Sequence, residues 1–276
     1  MVELGIVDIR EIIRLIKSNY DFDFSCFALT SLKYRLEHII AKNSLSNPES
    51  LYRKLTDERD FFDIFLFQLM VPSTEMFRDP SVWRWVREDL FSQLDDKDLI
   101  NFKIWLPFCI SGGELYSLAI LLKELGLYSR VKIYATVQSD AAEKYILAGE
   151  YPMKKIEISV ENYKRFQGNN ELEDYYQIEQ YIARRNTSLI QNVEFIKDDL
   201  NFSHAPKNVK LILMRNAMIY FTPSYQEIIL KKMHEVLSAN GSFIIGLQEN
   251  IDRDQNTHSL FEAVELSESV YKKRIS

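Results

Sequence analysis

"WLPFCISGGELYSLAILL", Trp105–Leu122, is the stretch whose reading decides the fold. A short apolar run enters a small-residue turn, Ser111-Gly112-Gly113, and a helical pattern with Tyr116, Leu118, Ala119 and Leu122 follows. Strand, glycine turn and helix N-terminus, in that order, present backbone N–H groups to an anionic or cofactor-sized ligand. Phe108 and Ile110 crowd this turn, where close approach of a ligand to the backbone favours small residues.

Downstream, apolar runs alternate with helical stretches: "VKIYATV", "DAAEKYILAGEY", "VEFIKDDL", "VKLILM", "YQEIILKKMHEVL" and "GSFIIGLQ". Such alternation predicts βαβ units and a parallel sheet whose ligands sit beyond the carboxyl ends of the strands. The pattern lapses in "ENYKRFQGNNELEDYYQIEQYIARRN". That segment is too long for an ordinary loop and reads as a small inserted subdomain near 161–190. Upstream, "VDIREIIRLIKSNY" spaces Ile9, Ile12, Ile13 and Ile16 as one helix face, and "TSLKYRLEHIIAKN" does the same with Leu32, Leu36, Ile39 and Ile40. Thr30 or Ser31 is the expected cap of that second helix. Asn47 before Pro48 marks a third helix start, and "ERDFFDIFLFQLMV" reads as a fourth helix. The expected organisation is an all-helical domain over 1–75 and an α/β domain over 76–276.

Composition narrows the function classes. The chain has 276 residues, 46% of them hydrophobic, enough for a substantial core. A formal charge of −6, with 34 basic and 40 acidic residues spread along the chain, argues against nucleic-acid binding, which needs a concentrated positive surface. Cys26 and Cys109 are the only cysteines, so no disulfide framework is implied and a reducing compartment is expected. "MVELGIVDIREIIRLIK" lacks the apolar core of a signal peptide or membrane span, so a cytoplasmic location without membrane insertion is expected. His38, His204, His234 and His258 are too scattered for a common zinc motif. Cys109, at the end of an apolar run, reads as a small buried hydrophobe and not as a nucleophile.

Three stretches carry chemistry. "STEMFRDPSVW" joins the helical and α/β regions and holds Arg78. The opening turn is the second. In "LILMRNAMIYFTP" an apolar strand ends in Arg215-Asn216 and runs on through Tyr220, with polar residues where α/β sheets bind ligands. Together, "STEMFRDP", "SGGELYSLA" and "RNAMIYF", followed by "GSFIIGLQEN", resemble the chemotaxis-receptor glutamate methyltransferases, the CheR family, over essentially the whole chain. The resemblance implies an N-terminal helical bundle followed by a Rossmann-like class I methyltransferase domain with a small β-subdomain insertion. It implies S-adenosylmethionine as cofactor, and as partners the cytoplasmic helices of chemoreceptors or other signalling proteins, with methylation of glutamate side chains serving chemotaxis and signal transduction.

By the same resemblance, Arg78 is the catalytic residue that orients the substrate carboxylate and Tyr220 shapes the methyl pocket. Thr74, Arg78, Gly112, Glu114, Arg215 and Asn216 match cofactor-side positions, and Asp199-Leu200 stands where the family has Asn-Leu. Four departures fall on the cofactor side. The acid that holds the ribose at the end of the second strand is Val137, a small loop residue is Phe108, the first of two loop acids is Gly113, and an asparagine ahead of the arginine is Pro72. Losing two charged hydrogen bonds at about 1.5–3 kcal/mol each weakens a cofactor by roughly two to four orders of magnitude. The alternative to an active enzyme is therefore a degenerate relative, kept as a binding or scaffolding protein in a signalling complex.

Overall fold

The computed structural model describes residues 2–70, 75–251 and 259–274. Four helices come first: α1 (Ile6–Tyr20), α2 (Leu29–Lys42), α3 (Pro48–Asp57) and α4 (Phe61–Met70). Each buries the face its periodicity marks, with Ile9, Ile12 and Ile16 on α1 and Leu32, Leu36, Ile39 and Ile40 on α2. Asn47 caps α3 through its side chain, which accepts from the Ser50 N–H at 2.9 Å. The expected Thr30 or Ser31 cap of α2 does not form: the helix starts at Leu29 after Ala28. The Ala28 N–H is instead donated across the molecule to the Tyr220 carbonyl at 2.9 Å. That long-range contact satisfies one of the four free N–H groups at the start of α2.

A short helix α5 (Pro80–Trp85) leads to a seven-stranded sheet. Its strands are β1 (Lys103–Leu106), β2 (Lys132–Val137), β6 (Val193–Lys197), β7 (Val209–Met214), β8 (Leu237–Ile245), β9 (Phe261–Glu265) and β10 (Val270–Lys273), in the order β6-β2-β1-β7-β8-β10-β9. The first five run parallel, while β10 pairs antiparallel with β8 and β9. The order reverses between β1 and β7, so a crevice opens above the carboxyl ends of those two strands. Ile104, Trp105, Leu211 and Ile212 are fully buried, as strands covered on both faces must be. The covering helices are α6 (Gly113–Glu124), α7 (Asp140–Ala148), α8 (Met153–Phe166) and α9 (Pro223–Val236). This is the mixed α/β, Rossmann-like class I architecture expected from the sequence.

The irregular segment contributes to a second, three-stranded antiparallel sheet, β3-β5-β4, from β3 (Glu150–Pro152), β4 (Tyr176–Glu179) and β5 (Ile182–Arg185). Its first strand lies ahead of Glu161, and α8 intervenes before the other two. Three residues ending in proline leave too short an alternation to read as a strand from sequence.

The N-terminal helices pack in one apolar cluster with Trp105, Ile212 and Phe243 from a face of the large sheet. A polar contact adds to this: the Asp63 carboxylate on α4 accepts the N–H groups of Asp140 and Ala141, each at 2.7 Å, and so caps α7 from another part of the chain. Among the described residues no helix is long and apolar enough to cross a membrane.

Candidate functional site

The turn after β1 is fixed before any ligand is considered. Thr136 on β2 accepts the Cys109 N–H at its carbonyl and the Trp105 Nε1–H at its hydroxyl, both at 2.9 Å. Gly112 takes φ 74° at the start of α6, and a Cβ there would lie 3.1 Å from the Ile146 side chain. Positive φ and close approach together require glycine. The Cys109 thiol is buried and its pKa pushed up to about 12, so it stays protonated and acts as packing.

Arg185 on β5 holds the same turn from below. Its guanidinium donates to the Ser111 carbonyl from both terminal nitrogens at 3.2 Å, and to the carbonyls of Gly149 and Glu150 at 3.3 and 3.4 Å. It lies between the rings of Tyr116 and Tyr151, 4.1 and 4.6 Å from their centroids. The residue is 1% exposed. Sequence reading passed over it. The available signal was the period-2 alternation of β5, which puts Ala183 and Arg185 on one buried face.

Opposite the turn, Arg215 follows β7 with its side chain 2% exposed. It meets Asp79 at 2.6 Å and Glu114 at 2.9 Å, and donates to the Arg78 carbonyl at 3.1 Å. The Glu114 carboxyl is held above its usual range by burial, against the pull of Arg215. Next along, Asn216 has φ 55° and packs against Gly246, where a Cβ would lie 2.6 Å from the Asn216 amide oxygen. The buried Glu249 carboxylate locks this crossing by accepting the N–H groups of Gly246, Asn216 and Ile219 at 2.7, 2.9 and 3.2 Å. Burial raises its pKa and those three donors oppose the shift.

Gly112, Glu114, Arg215, Asn216 and Tyr220 thus line one cavity, with Phe108 and Gly113. It measures about 40 Å³. Sites for cofactor-sized ligands run to roughly 300–1,000 Å³, so this cavity is too small for a whole cofactor. Phe108 contributes to the closure, packed edge-on against Phe221 with 5.8 Å between ring centroids. The Tyr220 ring carries the Arg35 guanidinium from α2 at 3.9 Å.

The other expected residues lie elsewhere. Arg78 is tied to this cavity by its backbone, and its exposed side chain has no hydrogen-bond or ion-pair partner among the described residues. Asp199 lines a different cavity and binds the N–H and amide of Asn201 at 2.8 and 2.7 Å. Leu200 is buried, and its carbonyl accepts from the Tyr225 hydroxyl. Val137 is fully buried at the end of β2. Asp140 pairs with Lys197 at 2.6 Å. Thr74 and Pro72 lie outside the described residues.

Comparison with known proteins agrees with this architecture. The family described as "CheR methyltransferase, SAM binding domain" matches residues 72–267. A putative methyltransferase, Cher3, of Pseudomonas putida is 30% identical over 246 residues, covering 89% of each chain. A chemotaxis protein methyltransferase of Listeria monocytogenes is 25% identical over 86% of this chain and 88% of its own. The corresponding protein of Borreliella burgdorferi is 24% identical over 93% and 92%.

Proposed function

This chain belongs to the CheR methyltransferase family, and from that membership we propose that it is a protein-glutamate O-methyltransferase acting on the cytoplasmic helices of chemoreceptors. The observation that carries this reading is Arg78. Its carbonyl is fixed by Trp83 and Arg215, at 3.0 and 3.1 Å, while its guanidinium is exposed and unpaired among the described residues. A forked guanidinium beside the cavity is suited to receive a carboxylate through two hydrogen bonds.

The reaction asks little else of the side chains. A glutamate, with a reference pKa of about 4.3, is ionised at neutral pH and needs no general base. Rate comes from alignment and exclusion of water. Tyr220 and Arg35 wall the acceptor side, and Arg35 adds a second positive charge for an acidic substrate. Local cations, and not the net charge of −6, meet the substrate. We assign the helices of 1–75 to substrate contact, 76–276 to catalysis and the protein to the cytoplasm, where such receptor helices lie.

The cofactor is S-adenosylmethionine, which supplies an electrophilic methyl group when bound. The residue types at its amino-acid end fit, with the Glu114 carboxylate and the glycine turn at Gly112 lining the small cavity. They do not fit its ribose end, because Val137 replaces the acid at the end of β2 and is fully buried. That mismatch, with the 40 Å³ cavity, favours a second reading: a non-catalytic relative that binds signalling partners. Calorimetric titration with S-adenosylhomocysteine separates the two. Saturable 1:1 binding at or below about 1 mM supports the enzyme, given the expected loss of two to four orders of magnitude from a micromolar site. No heat and no thermal shift at several times that concentration supports the scaffold.

A further inference from the structure

A row of like charge crosses the amino end of the large sheet. Lys103 on β1 is in register with Lys132 on β2. On the other side of β1, Ile104 pairs with Leu211, so Lys103 and Lys210, one position earlier on each strand, also stand side by side. Side chains in register on neighbouring strands point to the same face. Three lysines therefore line up across β2, β1 and β7, about 4.8 Å apart and about 10 Å from end to end. They share the face that carries Tyr134, Trp105 and Ile212 two residues further along.

No carboxylate among the described residues pairs with any of the three. Elsewhere Lys17, Lys33, Lys155 and Lys231 each meet one. The acids nearest in the chain are committed: Asp96 holds Arg130 at 2.6 Å, and Asp95 and Asp98 accept backbone N–H groups of their own turn. Glu194 stands beside Tyr134, two positions further along the face, and forms no ion pair with the row. The Lys103 ammonium donates instead to the Lys207 carbonyl at 2.9 Å, which ties the loop bearing a fourth, exposed lysine to the row.

Like charges in adjacent register positions repel, and the folded sheet holds these together. Lys132 is exposed, and Lys103 and Lys210 are half-buried. Half-buried stems restrict the last two more than free surface lysines, so less freedom is lost when an anion binds.

We propose that this row is a binding site for a compact oligophosphate of two or three linked phosphates. Lysine ammonium groups bind phosphate as point charges. A chain of that size fits a row about 10 Å long and brings more negative charge to it than a carboxylic acid of similar size. Long polyanions such as nucleic acid are disfavoured by Glu194 and Asp96 beside the row and by the net charge of −6. The site lies at the opposite end of the strands from the glycine turn, and it does not depend on methyl transfer.

Calorimetry on the full chain, at ~0.1 M salt and without divalent cations, tests the proposal with tripolyphosphate, orthophosphate and citrate. Tripolyphosphate binds one to one, about tenfold tighter than either of the others. Lys132→Gln and Lys210→Gln each weaken it about threefold and together about tenfold. Lys164→Gln, on α8 and away from the row, leaves it unchanged. The ligand-free melting temperatures of the row variants stay at or above wild type, because repulsion is relieved, so lost binding is not lost folding. Adenosine triphosphate, run in parallel, identifies the source: tighter binding than tripolyphosphate assigns the site to nucleotides, and weaker binding assigns it to inorganic chains. Absence of tripolyphosphate binding at ~5 mM overturns the proposal. So does citrate or orthophosphate that binds as tightly, or binding indifferent to the double substitution.

Discussion

The guanidinium of Arg215 closes on the Asp79 carboxylate at 2.6 Å, joining the segment after β7 to the start of α5 across 136 positions of chain. The same guanidinium takes Glu114 at 2.9 Å, so one buried cation ties the start of α5, the end of β7 and the first turn of α6 together. Removing one partner of a buried pair costs about 3–5 kcal/mol, less where the partners keep contact with water. Asp79 and Glu114 keep 27% and 23% of their side-chain surface exposed. Arg215→Met should therefore cost about 2–3 kcal/mol in urea unfolding. A loss under ~0.5 kcal/mol, the range of a surface substitution, would mean that the clamp adds nothing to stability.

Arg185 makes a sharper case because its partners are carbonyls and rings. Arg185→Met leaves the carbonyls of Ser111, Gly149 and Glu150 without that donor and should cost about 3 kcal/mol. Arg185→Lys keeps the charge and loses the fork that reaches Ser111, so it should recover only part of the loss. Full recovery by lysine would show that charge, and not the planar fork, holds the turn.

Glu249 predicts a pH dependence. Burial raises its pKa in the folded protein above the unfolded value. Its contribution is therefore fully present below the unfolded pKa and is lost as pH rises through the folded one. Glu249→Gln is neutral throughout, so wild type should gain stability relative to the variant as pH falls from about 7 to about 5. Urea midpoints for the two proteins at both pH values check this, and a wild type that loses stability relative to the variant on acidification would reverse the assignment.

Opening the site and restoring its lost acid should have opposite costs. Phe108 is half-buried at the cavity, and Phe108→Ala should tighten S-adenosylhomocysteine by about tenfold by removing the obstruction, ~1.4 kcal/mol. Val137 is fully buried within an apolar cluster, so Val137→Asp places a carboxylate there and should cost about 2 kcal/mol or more of stability. Calorimetry and thermal unfolding read the two effects. A Val137→Asp protein with unchanged stability and tighter binding would mean that the end of β2 faces the ligand.

The alternation of apolar strands and helices was legible because parallel strands covered on both faces read as continuous apolar runs. "SGGELYSLA" and "RNAMIYF" led to two walls of one cavity, since a glycine turn and a polar strand end both belong at carboxyl ends. Closure of that cavity was visible in outline through Phe108 and Ile110, but its extent depends on packing against Phe221. Arg185 escaped because it acts through a partner distant in sequence, Ser111, and the contacts of Arg35 with Tyr220 and of Glu249 with Asn216 were hidden for the same reason. The start of α2 was missed for the same reason, since Ala28 is held at that start by a backbone contact with Tyr220.

Arg78 offers the most direct test of the central claim. Its side chain is exposed, so Arg78→Ala should change stability by less than about 0.5 kcal/mol. The measurement is transfer of a labelled methyl group from S-adenosylmethionine to a chemoreceptor cytoplasmic fragment, read as base-labile methanol. The account predicts release with wild type and a loss of about a hundredfold or more with Arg78→Ala, once the aligning pair of hydrogen bonds is gone. Absence of labelled ester with wild type, or equal release by both proteins, would contradict it.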